Sequence, residues 1–131
     1  MIVLDASALL DLLLATDPAE RILGHVANPE VPIVAPDHML VETTRVLRRL
    51  AIAGVISDER ADREAANALG LDVTVYPSQD LLPRAWRYRD RITIDDALYL
   101  VLTEVIAGAS LLTTDRKLAR AASGRVPVIP L

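Results

Sequence analysis

With 131 residues, 52% of them hydrophobic, the chain can bury one real core, and a single domain spanning residues 1–131 is expected. It has no cysteine, which excludes disulfides, thiolate zinc sites and a cysteine nucleophile and fits a cytoplasmic setting. The net charge of −4 argues against a non-specific nucleic-acid binder, although a site built from carboxylates would itself contribute to it. No basic region followed by a long apolar stretch marks a signal peptide, so no leader is expected. The longest apolar run, Ala97 to Leu102, falls far short of the roughly 20 residues that span a bilayer, and no membrane association is expected.

Apolar runs of strand length alternate with helical patterns, which predicts βαβ units and a parallel sheet of about five strands flanked by helices. The first strand covers Ile2 to Leu4, and its unbroken apolar character suits burial on both faces. Helices follow over Ser7 to Leu14 and from Pro18, a favoured first helical residue, to about Val26. A second strand runs from Val31 to Ala35. The helix from about His38 to Ala53 gathers Met39, Leu40, Thr43, Val46, Leu47, Leu50 and Ala51 on one arc, with Asp37 as its expected N-cap and Gly54 as its stop. Ser57 can cap a helix that runs to Leu69 and is stopped by Gly70. A third strand spans Val73 to Tyr76. Ser78 then caps a helix to about Arg89. The helix from Ile94 to Ala107 is apolar on nearly every face and should be buried. A fourth strand over Ser110 to Thr113, a short helix over Asp115 to Ala122 and a fifth strand over Val126 to Ile129 complete the chain. Pro127 and Pro130 confine that last strand to an edge.

Four acids stand out against this frame. Asp5 ends the first strand, Glu42 lies early in an amphipathic helix, Asp96 opens the apolar helix and Asp115 follows the fourth strand. Each has a plain structural reading. Asp5 and Asp115 are good turn or cap residues, and Glu42 can pair with Arg45 one turn on. Thr93 and the acids after it fit a capped first turn. Asp5 and Asp115 also share a place, because open α/β sheets bind ligands beyond the C-terminal ends of their strands. Clustered carboxylates raise one another's pKa, and a hard divalent cation with oxygen ligands relieves the repulsion.

Basic residues are uneven. From Arg84 to Arg125 there are eight against five acids, and Arg45, Arg48 and Arg49 form a second cluster. These suit a phosphate backbone or an ordinary solvated surface. His25 and His38 are isolated and are expected in surface or structural roles. Trp86 and Tyr88 are expected to pack, with base stacking as the other use.

The residues Val3-Leu4-Asp5-Ala6-Ser7, Glu42 in Leu40-Val41-Glu42, Asp96-Ala97-Leu98-Tyr99 and Leu112-Thr113-Thr114-Asp115, with Lys117-Leu118-Ala119 after them, resemble the PIN-domain ribonucleases of the VapC toxin type. Each motif is short; their order, spacing and coverage of essentially the whole chain carry the match. The resemblance implies a PIN-like α/β fold and catalytic acids at Asp5, Glu42, Asp96 and Asp115. Asp96 is preferred to Asp95 because the Asp-Ala-x-Tyr match begins there. It implies Ser7 and Thr113 as supporting hydroxyls. The metal ligands it implies are Asp5, Asp96 and Asp115, holding Mg²⁺ or, as a substitute, Mn²⁺. The implied activity is endoribonucleolytic, leaving 3′-hydroxyl and 5′-phosphate ends. The implied setting is a type II toxin–antitoxin system with a small antitoxin carrying a basic tail, and a homodimer. Two other readings are an RNA-processing PIN nuclease with no antitoxin and a non-catalytic PIN-like binding module.

Overall fold

A computed structural model describes all residues from Met1 to Leu131. Four strands and seven helices follow one another as β1 (Ile2–Leu4), α1 (Ala6–Leu14), α2 (Ala19–Val26), β2 (Ile33–Pro36), α3 (Met39–Ile52), α4 (Asp58–Leu69), β3 (Thr74–Tyr76), α5 (Ser78–Ala85), α6 (Ile94–Val105), β4 (Ser110–Leu112) and α7 (Arg116–Ala122). A 3₁₀ turn over Trp86–Tyr88 separates α5 from α6. The sheet has the order β3-β2-β1-β4 and is parallel throughout. No helix is long and apolar enough to cross a membrane.

Apolar sequence and position agree. β1 and β2 are buried at every residue, as strands covered on both faces must be, whereas edge strand β3 leaves Thr74 and Val75 exposed. α6 lies against β1, β2 and β4, and its residues Ala97 to Thr103 are all buried. The predicted arc of α3 faces inward, with Met39, Thr43 and Leu47 fully buried. Ser57 caps α4 by accepting the Arg60 N–H at 3.1 Å, and Thr93 caps α6 by accepting the Asp96 N–H at 3.1 Å.

Three local expectations are revised. The fifth strand shrinks to a single bridge between Leu111 and Val128, held by Leu111 N–H to Pro127 O and Ile129 N–H to Leu111 O, both 2.8 Å. Pro127 and Pro130 have no N–H to extend the ladder. The helix expected to reach Arg89 ends at Ala85 and tightens into the 3₁₀ turn; Pro83 inside it removes one helical donor. Asp37 does not cap α3, whose first turn has no side-chain cap. Its carboxylate instead accepts the Ser78 hydroxyl and, at 3.1 Å, the Ser78 N–H, so Ser78 is a donor to Asp37 and Pro77 occupies the cap position of α5. That link ties the chain after β2 to the chain after β3, at the same end of the sheet where β1 and β4 deliver Asp5 and Asp115.

Candidate active site

Asp5 occupies the N-cap position of α1, yet its side chain does not cap the helix. It turns toward the chain after β4. Oδ2 accepts the Ser7 hydroxyl at 2.5 Å and the Thr113 hydroxyl at 2.6 Å. Both donors converge on one oxygen, and Oδ1 has no hydrogen-bond partner within the protein. The two hydroxyls are themselves oriented: Ser7 Oγ accepts the Thr114 and Asp115 N–H groups at 3.1 and 3.2 Å, and Thr113 Oγ1 accepts the Asp115 N–H at 3.0 Å. Asp5 is 3% exposed, and burial pushes its carboxyl from an ordinary 3.8 up to about 6. The two hydroxyl donors oppose that rise, while the charges of Glu42 and Asp96 add to it.

Glu42 and Asp96 act on Asp5 electrostatically, and Asp115 acts on Asp96. Asp96, at the capped start of α6, has its carboxyl raised first by burial and then, against the Thr93 hydroxyl, by Asp115 and Asp95. Glu42, in the first turn of α3, is likewise raised by burial and by Asp95 and Asp96. It does not form the ion pair expected with Arg45; Oε2 instead accepts the Tyr99 hydroxyl at 2.9 Å. Asp115 does cap its helix, with Oδ1 accepting the Lys117 and Leu118 N–H groups at 2.6 and 2.9 Å, so only Oδ2 remains for other work. The plain reading of Asp115 therefore holds without excluding a second role.

Sequence reasoning missed two neighbours. Tyr99, a turn after Asp96 on a helix that reads as core, is fully buried, and burial with the nearby Asp5 and Glu42 charges keeps it a phenol that donates to Glu42. The Asp-Ala-x-Tyr spacing was the signal that could have found it. His38 stands with Nε2 3.7 Å from Glu42 and 4.0 Å from Asp95, its ring tilted against Tyr99 at 5.0 Å between centroids. Neither ring nitrogen has a hydrogen-bond partner, and burial lowers its pKa, which favours a neutral imidazole at neutral pH. A lone histidine ahead of an apolar arc carries no sequence signal for such a place. Trp86, expected to pack, is 60% exposed. Arg48 lines a separate groove between α3 and α4 beside Asp58 and Asp62, away from the acids.

The donor set suits a hard cation. Every candidate ligand is an oxygen, Asp5 keeps one oxygen free, and a positive charge would relieve three carboxylates whose pKa burial has raised. A chelating cage is not preformed, because no three acidic or histidine side chains converge on one ion-sized position.

Comparison with known proteins places the chain in a family. Residues 2–124 match the PIN domain family. The chain is 37% identical to Ribonuclease VapC3 of Mycobacterium tuberculosis over 92% of its own length and 86% of that protein's. It is 33% identical to Ribonuclease VapC12 of the same organism over 92% of its own length and 91% of that protein's. Among solved structures, the fold is similar to that of the M. tuberculosis sarcin-ricin loop cleaving toxin VapC20, with a TM-score of 0.71 and 23% identity over 99% of this chain and 100% of that one. A protein from Pyrobaculum aerophilum gives a TM-score of 0.70 and 24% identity over 97% of this chain and 88% of that one.

Proposed function

The chain belongs to the PIN-domain family, among the VapC ribonucleases, and from that premise we propose that it is a Mg²⁺- or Mn²⁺-dependent endoribonuclease, the toxin of a type II toxin–antitoxin pair. The observation that carries the reading is Asp5: a buried carboxylate, locked by two hydroxyls on one oxygen and left free on the other, coupled to Glu42 and Asp96 at the C-terminal edge of a parallel sheet. A helix cap needs none of this.

Asp5 and Asp96 would hold a divalent ion, with Asp115 joining through Oδ2 directly or by way of water. Bound there, the ion supplies Lewis-acid polarisation of the phosphate and a water acidic enough to lose a proton near neutral pH. The chain's own residues do the rest. Ser7 and Thr113 fix the rotamer of Asp5, as supporting hydrogen bonds do for metal-binding carboxylates. Tyr99 holds Glu42 in place, and Glu42 orients the attacking water. The water oxygen bonds to phosphorus, the bond from phosphorus to O3′ breaks, and O3′ takes up a proton, leaving a 3′-hydroxyl and a 5′-phosphate.

An antitoxin with a basic tail would complement the acidic site, since charge-assisted bonds from arginine to carboxylate are among the stronger ones available. A homodimer acting in the cytoplasm completes the proposal.

The test uses total cellular RNA with Mg²⁺ and either wild type or Asp96→Asn, followed by sequencing of new 5′-phosphate ends. Discrete ends are expected with wild type alone, while the variant keeps its cooperative melt. The loss should exceed roughly 100-fold, beyond the effect typical of residues that only support a metal ligand. Undiminished cleavage by Asp96→Asn would sink the assignment. So would calorimetric titration with Mn²⁺ that gives no heat dependent on Asp5 and Asp96, which is the result a non-catalytic module predicts.

A further inference from the structure

A groove of about 770 Å³ begins at Asp96 and is walled by Arg89, Arg91, Lys117, Arg120 and Arg125. A second groove of about 480 Å³ shares Tyr88, Asp90, Arg91 and Arg125 with it and adds Arg84, Arg87 and Glu104. Through these shared residues the two make one trough that runs from Asp96 and α7 past the 3₁₀ turn. All seven basic side chains are exposed, and none forms an ion pair within 4.0 Å; the ion pairs of the molecule lie at His38 and along α4. In a chain of net charge −4, this concentration of unpaired cations runs against the overall balance.

Two of the guanidinium groups are held in place. Arg89 lies over the Trp86 ring at 5.3 Å and donates to the Trp86 carbonyl at 3.1 Å. Arg125 lies over the Tyr88 ring at 5.3 Å and donates to its hydroxyl at 3.4 Å, and that hydroxyl donates to Glu104 at 2.5 Å. Stacked guanidinium groups lose less freedom when they bind a phosphate than free side chains do. The other side of the acids differs. It presents Glu42 and Asp95 at 3.7 and 4.0 Å from His38 Nε2, beside Asp37, with Arg45 one turn along α3 from Glu42. A phosphate chain leaving the site in that direction meets repulsion.

We propose that this trough holds single-stranded RNA on one side of the scissile phosphate, and that the strand on the other side is left ungripped. Continuity with Asp96 favours RNA over an acidic protein segment, because the chain entering the site must itself carry phosphates. The proposal rests on the nuclease reading for the position of the scissile bond, but the binding surface can be tested without cleavage.

The probe is a fluorescein-labelled oligouridylate bound to full-length Asp96→Asn protein without divalent ions, with anisotropy followed over a range of salt. Adding Arg84→Gln and Arg87→Gln should weaken binding by roughly an order of magnitude at about 0.1 M salt and reduce the slope of log K against log salt by about 1.4, some 0.7 for each lost phosphate contact. The control pair Arg48→Gln and Arg49→Gln, on α3, should change neither. Wild-type affinity in the trough variant, or an equal loss in the control, overturns the proposal. So does a trough variant that still binds RNA but no longer binds polyglutamate, which would make the surface a protein site. Once a cleavage site is mapped, trimming the substrate from one end should cost as much affinity as the double variant, and trimming from the other end little. Equal losses overturn the one-sided grip. Failure to cleave with trough binding intact would count against the nuclease reading alone.

Discussion

The acidic site and the basic trough meet at Asp96 but are built in opposite ways. The site draws Asp5, Glu42, Asp96, Tyr99, Thr113 and Asp115 from across the chain, buries its central carboxylate and commits named donors to named oxygens. The trough comes from two local segments, Arg84 to Arg91 and Lys117 to Arg125, whose charges stand in solvent without ionic partners. Buried, hydrogen-bonded groups in contact act as a unit, so removing one changes what the others do. Exposed charges are screened and contribute in small, nearly independent steps. The site should therefore be sensitive to single atoms and indifferent to salt, and the trough the reverse.

The sharpest probe of that contrast after Asp96 itself is Thr113→Val. The side chain keeps its shape and loses one hydroxyl, which takes a donor from Asp5 and an acceptor from the Asp115 N–H. Nuclease activity should fall about 10- to 100-fold, the range typical of groups that orient metal-binding carboxylates. Mn²⁺ affinity should fall with it, and the salt dependence of RNA binding should not move. Unchanged Mn²⁺ affinity would show that the hydroxyl serves packing and leaves Asp5 otherwise fixed.

Acidity offers a second test. Asp5 has a higher pKa folded, about 6, than its ordinary 3.8, so the folded state binds the proton more tightly. The associated stability is fully present below pH 3.8 and is lost as pH rises through about 6. Without a cation, ionised Asp5 then costs the fold at most about 3 kcal/mol at pH 7, at about 1.4 kcal/mol per pH unit. Metal-free Asp5→Asn should melt higher than wild type at pH 7, with the gap closing toward pH 4. Saturating Mg²⁺ should raise the wild-type melting temperature at pH 7 and leave the variant's unchanged. A gap between the two proteins that does not depend on pH would mean that burial does not govern this carboxyl.

Much of this is legible in the sequence. Parallel α/β order follows from apolar runs separated by helical patterns, and the burial of α6 follows from its lack of a polar face. The four acids were visible because three mark element ends, which a parallel sheet collects on one edge. Hydrogen-bond direction was not visible. Whether Asp5 caps α1 or faces Thr113 depends on a contact between residues more than a hundred positions apart, and Asp37 likewise binds Ser78 and not its own helix. His38 was hidden in part for the same reason: Glu42 is its neighbour one turn along α3, but Asp95 and Tyr99 come near it only through the tertiary fold. The shortened last strand was half legible. Its prolines announced an edge, but not that they would leave a single bridge.

Trp86 marks the quiet end of the comparison. A large aromatic residue in a domain with so few aromatics invites the reading of a core anchor, and a buried tryptophan cut to alanine typically costs about 3–5 kcal/mol. Its ring instead stands largely in solvent, against the Arg89 guanidinium. Exposed cation–π contacts of this kind are worth about 0.5–1 kcal/mol, so Trp86→Ala should lose no more than that in urea denaturation. The slope with urea should be unchanged, because little apolar surface is buried there. A loss of several kcal/mol that varies with protein concentration would place Trp86 inside an interface between copies of the chain. The trough would then be bounded on one side by a partner, and its free cations would be read as a surface shared between two molecules.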